Sequence, residues 1–250
     1  MLRLELLHLC DSLFPIGGFA YSDGLEAAAH LTVPPSSTRR SAKAFPRSLA
    51  KREGIAGTSP AIEVLEAWID TLLDDMFACA EGPVVWRAWL AFANNDWGAI
   101  EELDEEILAL RPAASVRRSS RAMGSRLLTT WQSLHPDRRL EHALELANEN
   151  RLGPALPVAF AGACATAAID RRESVEAFAY TRIAATTSAS MRLFAIGQTA
   201  AHALLARTLD QVPGVVDRIV RHDPVPRSFA PAMDIAAMTQ PYLHSRLFRS

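Results

Sequence analysis

The chain has 250 residues, 49% of them hydrophobic and 22% charged, with a formal net charge of -2. That balance excludes global disorder, supplies the core of one domain or of two closely packed ones, and leaves no broad cationic field for nucleic acid. Cys10, Cys79 and Cys164 are few, widely spaced and never arranged as CxxC, so neither a disulfide framework nor a thiolate zinc site is expected.

Apolar residues recur at helical spacing almost throughout, and sustained runs of alternating β-branched residues are missing. This predicts an all-α fold: one compact, bundle-like helical domain over 1–250, with short connections between antiparallel neighbours. The first helix is expected over 2–13, where Glu5, His8 and Asp11 interrupt any export signal. A second is expected over 20–31. Between Thr32 and Arg52 stand Pro34, Pro35, Pro46 and six cations with no acid to balance them, a composition that predicts a mobile basic insertion over 32–58.

The clearest helix begins at Pro60: Ile62, Leu65, Ile69, Leu72, Leu73 and Met76 share one face, beside a solvated stripe of Glu66, Asp70 and Asp74. Gly82 and Pro83 are expected to end it. Further helices are predicted over 84–93, 97–109, 113–131, 138–150, 155–169, 174–187, 189–208, 212–221 and 231–240, with Pro112, Pro136, Gly153 and Pro213 as punctuation. Alanine is abundant in 155–169 and 184–206, which predicts central helices whose axes approach closely. No stretch reaches the roughly eighteen apolar residues that spanning a membrane requires, so a cytoplasmic protein is expected.

The arrangements that carry chemistry are missing. Gly17-Gly18 fits neither GxGxxG nor GxxxxGK[ST], so no phosphate cradle is visible. His8 and Cys10 are two apart, and His135 and His142 are separated by Pro136; neither pair makes a metal site. The acids at Glu101, Glu102, Asp104, Glu105 and Glu106 read as the wet face of a helix. No catalytic, cofactor-binding or metal-binding residue is therefore assigned, and no compact donor set suits nickel.

Two segments are more specific. Over Asp11 to Glu26, Pro15 restrains an elbow, Gly17 and Gly18 relax it, and Ser22 with Asp23 could satisfy free amides at the next helix start. Phe14, Phe19 and Tyr21 emerge from this elbow as core pegs or as partner contacts, and Asp11 and Glu26 either brace the bend or lie exposed. The last residues, Tyr242-Leu-His-Ser-Arg246-Leu-Phe-Arg249-Ser250, mix apolar and cationic side chains, which suits a docking tail over 240–250 or an end that packs on its own core. Ordering the final eight residues would cost on the order of 10 kcal/mol, which anchoring must offset.

Asp11 to Glu26 resembles the DSxxPxGxFxxSxGLE signature of the urease accessory protein F family, and Met191-Arg-Leu-Phe-Ala-Ile-Gly-Gln-Thr199 resembles its MRLxxxGQT segment. Ser228 to Pro231, Asp234 to Met238 and the terminal Ser-Arg-Leu-Phe-Arg-Ser match too, so the resemblance covers nearly all of the chain outside 32–58. It implies a homodimer without a catalytic centre. By resemblance, the chain joins accessory protein D (called H in some organisms) to the nickel-carrying GTPase, accessory protein G, and regulates GTP-dependent nickel insertion into the urease apoprotein. Nickel and GTP are then expected on the GTPase, with no cofactor bound stably here.

The resemblance also implies that the tail orders on binding protein D. It places Phe19 and Arg246 near the GTPase-binding face and makes Leu247 and Phe248 anchors toward protein D. Tyr21, Gln198, Tyr242 and Arg249 complete the expected partner-binding set, with an internal hydrogen bond as the other reading of Gln198 and an internal helix-end contact as that of Arg246. Gly197-Gln198-Thr199 is expected to allow close helix approach and a polar crosslink at an interface. His244 stands where many members have tyrosine, and Thr239-Gln240 where a His-Glu pair is common. From the residues alone, a helical adaptor for another metalloenzyme or a helical metal-dependent hydrolase remains open; the hydrolase would need a concave pocket with convergent titratable groups.

Overall fold

A computed structural model describes residues 4–32 and 60–249, and among these every regular element is helical. The insertion expected over 32–58 lies, beyond Thr32, outside the described residues. The fold is organised around α8 (Leu156–Thr166), whose sequence LPVAFAGACAT is apolar on every side. A helix with no polar face must be enclosed, and Leu156 through Ala165 are all buried. Against it pack α4 (Gly82–Asn94), α6 (Ala114–Leu134) and α9 (Arg171–Leu193).

Glycine sets how closely they approach. A Cβ on Gly162 would fall 2.7 Å from the Phe92 ring, and one on Gly124 would overlap the carbonyl oxygen of Pro154. Outer helices α5 (Trp97–Ala109), α7 (Arg138–Asn148) and α11 (Val212–His222) close this body, whose largest buried side chains include Phe77, Phe92, Trp131 and Phe178. Aspartates cap its helices: Asp96 accepts from the Ala99 amide at 3.1 Å, Asp137 from Arg139 at 2.8 Å, and Asp170 from Arg172 at 2.8 Å and Glu173 at 3.1 Å.

The structure differs from the sequence reading at several points. Gly82 and Pro83 do not end a helix: α3 (Pro60–Thr71) passes through a wide π-type segment, Leu72–Glu81, straight into α4. Pro83 has no N–H for the Cys79 carbonyl four residues back, and in ordinary α register its ring would collide with that carbonyl. The wider turn avoids the collision. The Arg227 amide then donates to the Cys79 oxygen at 2.8 Å, so the proline's missing bond is made by another part of the chain.

The helices expected over 174–187 and 189–208 are divided elsewhere. α9 continues to Leu193, the chain leaves helical geometry at the fully buried Phe194, and α10 (Gln198–Leu209) starts after Gly197. Of the two alanine-rich stretches, α8 is central as expected. Ala200 and Ala203 of α10 are exposed, and no described atom of this chain lies within 4 Å of a Cβ on Gly197, so that glycine brings no two described helices of the chain together.

Asp104 is not on a wet face. It is buried, accepts from the Gly153 amide at 2.8 Å and the Ala155 amide at 2.6 Å, and so shapes the entry to α8. Burial pushes its carboxyl above the usual value, against those two bonds and the charge of Arg121, which pull it down.

Candidate partner interface at the elbow and the chain end

After α1 (Leu4–Cys10), the Asp11 carboxylate accepts from the Leu13 amide at 2.7 Å and tightens the first bend. Phe14 is a core peg: its ring lies 5.4 Å from that of His8 and 6.0 Å from that of Trp131. Gly17, at φ +75°, leads into one 3-10 turn over Gly18–Ala20. This turn carries the backbone of Phe19, whose side chain lies outside the described residues.

Tyr21 is extended and half-buried, and Gly24 (φ +101°) ends the elbow before α2 (Leu25–Thr32). A Cβ on Gly24 would stand 2.7 Å from the Ala237 amide nitrogen of α12 (Pro231–Thr239), so only glycine lets that helix lie against the bend. Ser22 Oγ accepts from the Glu26 amide at 3.4 Å, as the sequence suggested. Asp23 turns away from the amides toward Arg182, at 2.8 Å.

The end of the chain closes over this elbow. Gln240 Oε1 accepts from Ser22 Oγ at 3.1 Å and from the Gly24 amide at 2.8 Å. Seven residues further on, the Glu26 carboxylate accepts from the amides of Leu247 (2.6 Å) and Phe248 (3.2 Å), and the Arg249 amide donates to the Ala20 carbonyl at 2.7 Å, pairing with Tyr21 in a parallel bridge. The Phe248 ring is buried in a second cluster with Leu25, Leu193, Phe194 and Met233, and the Arg192 guanidinium stands 4.4 Å from its centre.

Phe248, read from the sequence as an anchor toward protein D, is thus seated on its own chain. Tyr242, 85% exposed, and Leu247, 41% exposed, face outward with Arg246 and Arg249. Tyr21, Leu247, Phe248 and Arg249 are brought together here. Gln198 is exposed at the first position of α10 and takes no part in these hydrogen bonds.

A buried ionic chain fixes the elbow to the body. Arg182 of α9 bonds Asp23 at 2.8 Å and Glu81 at 3.1 Å, and Glu81 also accepts from Arg111 at 2.8 Å. Burial alone would lower the Arg182 pKa, but the charges of Glu81 and Asp23 outweigh it and hold the guanidinium still more firmly protonated. Sequence reasoning missed Arg182, Glu81 and Arg111. The available signal was a cation in the otherwise small and apolar stretch AFAYTRIAATTSA, because a charge on a buried face implies a partner.

Beside the elbow, between α1 and α9, lies a cleft of 710 Å³ lined largely by apolar groups, including Leu6, Phe14, Ile16, Tyr21 and Ala184, with Asp11 and Arg192 among its polar members. Cys10 also lines it, but burial pushes its thiol up to about 12, so it is a thiol and not a nucleophilic thiolate. Among the described residues, no group of three or more His, Cys, Asp and Glu side chains could hold a metal ion. No described helix is long and apolar enough to cross a membrane. What the arrangement offers chemically is an apolar and cationic surface built on ordered backbone.

The model of the UreF family matches residues 62–209, more than half of the chain. The chain belongs to the UreF family. As a UreF-family member it is 30% identical to the urease accessory protein UreF of Methylibium petroleiphilum, over 99% of this chain and 93% of the relative. It is 27% identical to the protein of that name from Polaromonas, over 99% and 94%, and 28% identical to that from Ralstonia pickettii, over 98% and 96%. The UreF model reaches from α3 to the end of α10, while these longer alignments reach over almost the whole chain.

Proposed function

We propose that this protein is a urease maturation factor. It bridges accessory protein D (or H) to the nickel-carrying GTPase G and regulates GTP-dependent nickel insertion into the urease apoprotein. Family membership supports the accessory role, and relatives aligned over nearly the full length carry the name urease accessory protein. The observation that carries the finer reading is the junction of elbow and chain end, which orders a segment while leaving Tyr242, Arg246 and Leu247 outward. Nickel is cargo in this reading, and it resides with GTP on the GTPase. The chain acts without catalytic groups of its own, as a homodimer in the cytoplasm, and binds neither nucleic acid nor membrane.

An interface aromatic and an arginine with a rigid fork of donors are the side chains that most often dominate binding energy between proteins. Regulation follows only if the surface prefers one state of the GTPase over another, because equal affinity for both shifts nothing. Co-purification with proteins D and G tests the assembly, with and without Tyr242–Ser250; unchanged assembly and unchanged urease activation after that deletion defeat the reading. Arg246→Ala is expected to weaken recruitment of protein G roughly tenfold or more with the helical spectrum intact. Equal affinity by calorimetry rejects that residue's role.

A further inference from the structure

Glu26 stands in the first turn of α2, within Leu25-Glu26-Ala27-Ala28-Ala29, and is 1% exposed. A carboxylate removed from water needs hydrogen-bond donors. Its donors are the main-chain amides of Leu247 and Phe248, 221 and 222 residues away in sequence, at 2.6 and 3.2 Å. Each carboxylate oxygen takes one amide, so the pair of oxygens reads two successive residues of an incoming segment without touching their side chains.

We propose that Glu26 is the positioning residue of the partner interface, setting the register of the chain end. The chain bends at Leu247 and Phe248, which turns two successive amides toward one carboxylate and sends the two side chains different ways, Phe248 inward and Leu247 outward. A slip of one residue would therefore put Leu247 into the seat of Phe248 and turn the phenyl ring out. By holding both amides, Glu26 directs Phe248 inward to Leu25, Leu193 and Phe194 and directs Leu247 outward. The Gln240 contacts with Ser22 and Gly24 precede the segment, and five residues separate Gln240 from Arg246, so those contacts leave its register open. One residue beyond Phe248, Arg249 pairs with Tyr21 in the parallel bridge and so keeps the register in which Glu26 holds the two amides before it. This proposal rests on the reading of the junction as a partner interface, but the positioning itself takes place within one chain.

Hydrogen exchange on the full-length chain tests it. In the wild type, the Leu247 and Phe248 amides are expected to be protected; in Glu26→Ala they exchange roughly 10–100-fold faster, the loss expected for bonds to a charged acceptor, while α4 and α8 keep their protection. Glu26→Gln, which keeps one acceptor oxygen, falls between. A role in packing alone would shift protection broadly, with no selective loss at these two amides. Equal exchange at both positions in wild type and Glu26→Ala overturns the proposal, as does wild-type exchange at open-chain rates, a result that stands even if Glu26→Ala does not fold.

The same variant is expected to bind proteins D and G at least about tenfold more weakly. Faster exchange with unchanged affinity overturns the interface role of Glu26. Whether Arg246→Ala also leaves affinity unchanged then shows if the wider reading of this face fails with it.

Discussion

Around α8 the chain brings helices together through alanine and glycine, with Gly162 under the Phe92 ring and Gly124 against the Pro154 carbonyl. Around Phe248 it closes a smaller cluster with main-chain amides bound to Glu26 and Gln240 and with the chain from Asp23 through Arg182 and Glu81 to Arg111. The first region depends on the absence of side-chain volume and tolerates no insertion of atoms. The second depends on matched donors and acceptors, each of which can be removed singly. A protein that must keep one shape and still offer an adjustable edge gains from having both.

The sharpest way to break this comparison is Arg182→Met. It fills similar volume but leaves the Asp23 carboxylate without its cation and Glu81 with Arg111 alone, a loss of about 3 kcal/mol. Urea unfolding gives the size, and hydrogen exchange gives the place: protection is expected to fall first in α2 and α12, and a loss spread evenly over α4 and α8 would show that the two regions are not distinct. Gly124→Ala tests the other side. Its methyl group meets a backbone carbonyl that cannot rotate away, so α6 must move off the segment entering α8, at about 1–3 kcal/mol, with the elbow amides unaffected.

The smallest effect is expected at Asp104, where the body borrows the junction's method. Asp104→Asn exchanges one acceptor for a donor and costs about 1 kcal/mol. Burial raises the folded pKa of Asp104 above its unfolded value, so the stability from the neutral acid is fully present below the ordinary carboxylate pKa and lost as pH rises through the raised one. Urea midpoints across that range are expected to fall with pH more steeply in the wild type than in Asp104→Asn. Parallel curves would remove the carboxyl as their cause.

Local periodicity reveals features carried by neighbours in sequence. The amphipathic face starting at Pro60 and the apolar run of α8 were both legible, because burial on one side or on all sides leaves its mark within a few turns. The break after Leu193 was not, since nothing in the spacing of 174–208 marks Phe194 as the residue that a distant cluster draws out of the helix. Pro83 was read as a stop because the rule for proline assumes ordinary α register, and the wide turn before it removes that assumption.

The elbow and the chain end each stood out in the sequence, the one by Pro15, Gly17 and Gly18 and the other by apolar residues among cations. Their meeting did not. Glu26 and Leu247 are joined across 221 positions, and a carboxylate that binds backbone amides demands no particular residue on the other side, so the contact leaves no complementary letter to find.

The length of α9 has a mechanical consequence. Its 23 residues, capped by Asp170 and ending at Leu193, form one rod of about 34 Å. Phe178 is wedged into the large cluster toward one end, and Ala189 and Leu193 belong to the small cluster at the other, with Arg182 between. A hydrogen-bonded rod resists bending, so a push on the face that carries Phe248 is delivered to the middle of the molecule as a tilt of the whole lever.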